Sequence, residues 1–95
     1  MARITLLKMQ LQTTKKSSMN ITEYITKMRA LATKLASTGK PIIEEDLVTC
    51  ILTSLNQEPK YENVIVSILS RGGQPSFEDV YSILLNHEGR LEHKN

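Results

Sequence analysis

Near its end the chain reads "LLNHEGRLE", residues 84–92, with His87 and Glu88 side by side. Imidazole beside carboxylate is the raw material of acid–base catalysis or of a metal site. Neighbours on a helix do not face one another, however. An HExxH zinc helix needs a second histidine where Leu91 stands. The other histidine, His93, falls on a different face. One cysteine, Cys50, and two histidines fall short of a four-ligand zinc site within the chain. Cys50 lies on an apolar arc, with nothing in the sequence to activate it as a nucleophile. No GxSxG, P-loop or GxGxxG occurs, and "RGGQP" lacks the spacing of a phosphate cradle. The residues therefore predict no enzyme, no cofactor, no metal and no small-molecule substrate.

Glu88 projects into the apolar stripe of its helix, between Leu84 and Leu91. Either it is half-buried with a partner, for which Arg3 or Lys8 of the first segment are the candidates, or the stripe stops at Leu85 and Glu88 is wet.

The elements that carry these residues read as helices. In "ARITLLKMQLQ", Ile4, Leu7 and Leu11 share one face, while Leu6 and Met9 lie nearly opposite. A short helix that is apolar on two sides starts inside a longer helix or packs against something outside the chain. After the loop "TTKKSSM", Asn20 is an N-cap with Glu23 three residues on, a variant of the capping box. A stripe from Ile21 to Leu35 follows, and Gly39 with Pro41 ends it.

In "IIEEDLVTCILTSL", three acids open the helix, where its dipole favours them. Leu47, Val48, Cys50, Ile51, Leu52 and Leu55 cover an arc of about 200°, against ~100° for a surface helix. This helix is either central to a bundle or part of a subunit interface. "KYENVIVSIL" is β-branched enough for a strand, but without a partner strand it reads as a helix. Ser76 then caps a last helix with Asp79 at N3. The fold expected is all-α: one domain, residues 1–95, of about five helices.

Composition sets the outer limits. The chain has 95 residues and one cysteine, so no internal disulfide forms, and a reducing, cytoplasmic setting is expected. No apolar run approaches membrane-spanning length, so no membrane partner is expected. Without tryptophan, a base-stacking platform is not indicated. The net charge of +2 is unevenly spread. Residues 1–40 hold eight bases and one acid, a net +7; residues 41–95 hold four bases and nine acids, a net −5. This polarity suits head-to-tail association or a weak basic face toward nucleic acid, or is simply a solvated surface. The candidate basic face is Lys8, Lys15, Lys16, Lys27 and Lys34.

Taken in order, "LKMQLQTTKKSSMNITEYITKMRALATKLASTGKPIIEEDLVTCILTSL" and the closing "LLNHEGRLE" resemble the Gag polyprotein of Copia-type LTR retrotransposons, particularly plant ones. No single motif is diagnostic; the order and spacing carry the likeness along nearly the whole chain. The resemblance implies an all-helical capsid region, similar in layout to the C-terminal half of retroviral-type capsids. It also implies self-assembly into virus-like particles around element RNA, the RNA being met through other Gag segments. In that layout the dimer helix corresponds to residues 43–56, the helix with the wide apolar arc. The self-association surface expected is Leu47, Val48, Thr49 and Leu52, with Leu6 and Met9. The retroviral homology signature is not kept, since Lys15, Lys16, Met19 and Lys27 stand at its positions. A nucleic-acid-binding module and a domesticated Gag-derived adaptor are the alternative readings.

Overall fold

A computed structural model describes residues 2–93, without the side chains of Ala2 and His93. Among the described residues there are five α-helices and no strand. They are α1 (Ala2–Thr13), α2 (Ile21–Ser37), α3 (Glu44–Leu55), α4 (Glu62–Leu69) and α5 (Phe77–His93). A 3₁₀ turn, Pro59–Tyr61, leads into α4.

Helix α3 occupies the centre and packs against each of the other four helices. Its wide arc is thereby covered within the chain: Val48, Ile51, Leu52 and Leu55 are buried. Of the two alternatives for this helix, the structure has the central one. Helix α2 lays Ile21, Tyr24, Ile25, Met28, Leu31 and Leu35 onto the same core, the face its spacing requires. Leu7 and Leu11 of α1, and Val80 and Leu84 of α5, complete one buried cluster. The β-branched run of α4 is helical because Val64, Ile65 and Ile68 fall on a single helical face that this cluster covers.

The ends of α2 show how local signals set its length. The Asn20 side chain accepts from the Glu23 N–H at 2.8 Å. The Glu23 carboxylate accepts from the Asn20 N–H at 3.0 Å, completing the capping box. At the other end Gly39 adopts φ +82°. Its N–H reaches the Ala36 carbonyl, and the Lys40 N–H reaches that of Leu35. This pairing is a Schellman motif, which needs a left-handed residue where Gly39 stands. The last helix begins as expected, with the Ser76 hydroxyl accepting from the Asp79 N–H at 3.1 Å.

Candidate functional site

The acid and the imidazole of "LLNHEGRLE" both have structural partners. Glu88 Oε2 accepts from the backbone N–H of Ile21 at 2.7 Å, at the first turn of α2. It is half-buried and partnered, as one of its two alternatives requires. The partner is a main-chain amide at a helix N-terminus rather than Arg3 or Lys8. That position offers an unpaired N–H and the positive end of the α2 dipole.

His87 donates from Nε2 to the Lys60 carbonyl at 2.6 Å. Its ring packs edge-on against Tyr61, with centroids 5.1 Å apart. The Lys16 ammonium lies 5.4 Å from the centroid of the same tyrosine. Tyr61 is buried, and burial pushes its phenol up to about 12, with the Glu88, Glu58 and Glu92 carboxylates adding to the shift. This cluster pins the 3₁₀ turn to α5.

Cys50 is half-buried and lines a groove of about 550 Å³ between α1, α3 and the α2–α3 connection. Burial first, then the Asp46 carboxylate, raises its thiol above the ordinary value. That direction removes thiolate, the reactive form. Among the described residues no three His, Cys, Asp or Glu side chains converge as a metal site. The His93 imidazole lies outside what is described.

The surface expected for self-association divides in two. Leu47, Val48 and Leu52 are 9%, 1% and 6% exposed, so these three belong to the chain's own core and present no outer face. Their arc is wide because α3 has helices packed on more than one side, a cause that a helical projection cannot separate from an interface. Thr49, Leu6 and Met9 do reach solvent. Leu6 is 55% exposed and Met9 54%, on the side of α1 opposite Leu7 and Leu11. A second exposed pair, Val66 at 58% and Leu69 at 63%, lies on α4. Sequence reasoning missed this pair, although Val66 and Leu69 stand three residues apart and off the stripe of Val64, Ile65 and Ile68.

The bases do not gather in one place. Lys8 borders the α1–α3 groove and Lys16 stands over Tyr61. Lys15 is in the α1–α2 loop, and Lys27 and Lys34 project from α2.

Comparison with known proteins decides the family. Residues 1–95 match the gag-polypeptide of LTR copia-type. The chain belongs to the copia-type Gag family. It is also 30% identical, over 88 residues, to a retrovirus-related Pol polyprotein from transposon RE1 of Arabidopsis thaliana, a plant relative. That match covers 93% of this chain and 6% of the relative, so this Gag-family chain spans only a small part of the polyprotein it resembles. No solved structure matches it.

Proposed function

We propose that the chain is a structural self-association module of a copia-type Gag capsid, contributing to virus-like particles in the cytoplasm without catalysis, cofactor or membrane attachment. The observation that carries this reading is the doubly apolar α1 of a Gag-family chain. Its inner face is spent on the core, yet Leu6 and Met9 remain more than half exposed on the outer face. Contiguous exposed apolar surface is the feature that association uses, and Leu6 and Met9 are neighbours at i, i+3 on one helix face. The occupation of His87 and Glu88 by backbone groups supports a structural role over a catalytic one. Among the described residues no helix is long and apolar enough to cross a membrane.

Sedimentation of the purified chain across a concentration series, at low and high salt, tests the reading. Dimers or larger species that survive salt are expected, since apolar contacts are not screened. A monomer at every concentration overturns it. The net +7 of residues 1–40 favours a second reading, RNA binding. That reading requires an affinity for single-stranded RNA that falls steeply with salt.

A further inference from the structure

Among the described residues, six large apolar side chains are exposed: Leu6, Met9, Ile43, Val66, Leu69 and Leu85. Four of them form pairs at helical spacing, Leu6–Met9 on α1 and Val66–Leu69 on α4. Ile43 stands alone at the N-cap of α3, and Leu85 alone on α5. The two pairs lie on helices with no substantial mutual packing. Leu6–Met9 faces away from the buried stripe of α1 and Val66–Leu69 flanks that of α4, and all four remain exposed, so neither pair covers the other within a chain.

Charge distinguishes the two patches. Helix α1 carries Arg3 and Lys8 and no acid. Helix α4 carries a single charge, Glu62. Arg3, Leu6 and Met9 form an i, i+3, i+6 row spanning about 9 Å at ~1.5 Å per residue. Glu62, Val66 and Leu69 form an i, i+4, i+7 row spanning about 10.5 Å by the same rise. Both rows put the charge at the N-terminal end and the apolar pair after it. Arg3 and Glu62 are exposed. Laid side by side in parallel, rows of similar length bring the charges together at one end and the apolar pairs together after them.

We propose that the α1 patch of one copy docks on the α4 patch of a second copy. The helices run parallel, Leu6 and Met9 lie against Val66 and Leu69, and Arg3 pairs with Glu62. The contact is heterologous: a docked pair leaves the α4 patch of one copy and the α1 patch of the other free. Association therefore continues into rings or filaments rather than stopping at a two-fold dimer. With two large apolar side chains on each side, a single contact falls at the weak end of specific interfaces, and assembly gains strength from repetition. This inference rests on the self-association reading above and specifies its partner surface and polarity.

Two variants of the full chain test it, Leu6→Asp with Met9→Asp, and Val66→Asp with Leu69→Asp. All four positions are exposed, so both variants are expected to fold, which circular dichroism checks before sedimentation. Wild-type chain is expected to show an average mass that keeps rising with concentration past the dimer. Each variant alone is expected to stay monomeric. Their equimolar mixture is expected to form a one-to-one complex that grows no further, because one intact patch of each kind remains. In a single chain, Arg3→Glu with Glu62→Arg is expected to restore the association lost in either single change. If the α4 variant still dimerises while the α1 variant does not, α1 pairs with itself and the inference is overturned. Wild-type assembly untouched by both variants overturns it as well, leaving self-association through another surface. A monomeric wild type removes both this inference and the reading beneath it.

Discussion

The Glu88 carboxylate of α5 accepts a hydrogen bond from the backbone N–H of Ile21, 67 residues earlier, at the first turn of α2. The same device recurs at the start of α5, where the Phe77 N–H donates to Glu44 Oε2 of α3 at 2.9 Å. An acid of α3 thus holds the first turn of α5, and an acid of α5 holds the first turn of α2. Each helix start also has its own local cap, Asn20 or Ser76. The long-range acids satisfy a second orphan amide and fix where one helix begins relative to another.

Glu88→Ala removes a charge-assisted cap in a half-buried setting. A loss of about 1–2 kcal/mol is expected, the range for cap removal. Near 4–8 °C of melting temperature per kcal/mol applies to a domain of this size. Glu92→Ala is the control, because Glu92 is exposed on the same helix. Thermal unfolding followed by circular dichroism makes the comparison, and equal effects at the two positions would show that the Glu88 bond contributes nothing.

Glu44→Ala is expected to cost less, about 0.5–1 kcal/mol, since its hydrogen bond to Phe77 is exposed. The two bonds lie eleven residues apart along α5, roughly 16 Å at the helical rise. At that separation, and with no shared partner, the effects should add. Urea unfolding of both single variants and the double variant checks this. A double variant that falls well short of the sum would mean that α5 shifts as a unit when either acid is lost.

These two bonds also mark the boundary of what was legible in the sequence. Helix positions followed from stripes such as Ile21–Leu35, and from local signals such as Asn20, Glu23, Gly39 and Ser76. Each of those acts within a few residues of itself. Glu88 stands out in the sequence because a carboxylate within an apolar stripe needs a partner, but the partner is supplied by tertiary packing. Likewise, projection measured the width of the α3 arc but not what covers it. Its apolar residues read the same whether α1, α2, α4 and α5 cover them or a second copy does. The outward face of α1 could be read, because Leu6 and Met9 oppose Leu7 and Leu11. The face of α4 could not, because its β-branched run left even helix or strand to be argued.

Tyr61 gives the fold a dependence on alkaline pH. Its phenol titrates at about 12 in the folded chain, against an ordinary value of 10. Between those values the folded state holds a proton that the unfolded state has lost. The contribution is therefore complete below pH 10 and is lost as pH rises toward 12. Wild-type stability should fall across that window more steeply than that of Tyr61→Phe, which has no phenol there to ionise. Denaturant midpoints measured for both at several alkaline pH values decide the matter, and parallel curves would place Tyr61 in contact with solvent.

Cys50 should alkylate slowly. Burial, reinforced by the Asp46 carboxylate, raises its thiol and lowers the thiolate fraction at neutral pH. Iodoacetamide labelling of the native chain is expected to be slower than labelling in denaturant, and Asp46→Asn should speed the native reaction modestly. A native rate equal to the denatured one would mean that the groove beside α1 leaves the sulfur open.

Tyr24 and Ser54 carry opposite expectations although both are buried hydroxyl residues. The Tyr24 side chain is fully buried, and among the described residues its hydroxyl has no hydrogen-bond partner of acceptable geometry. Burial raises this phenol above its ordinary value, while the Ser54 hydroxyl acts on it in the opposite sense. Ser54 itself donates to the Thr14 carbonyl at 3.0 Å, tying α3 to the loop after α1. Tyr24→Phe keeps the ring packing and removes a desolvated polar atom, so stability should hold or rise by up to about 1 kcal/mol. Ser54→Ala leaves the Thr14 carbonyl without that donor, and a loss of about 1 kcal/mol is expected. Chemical denaturation of the two variants reads the contrast directly. A large loss in Tyr24→Phe would mean that the hydroxyl is bonded after all, with Ser54 the group to which it turns.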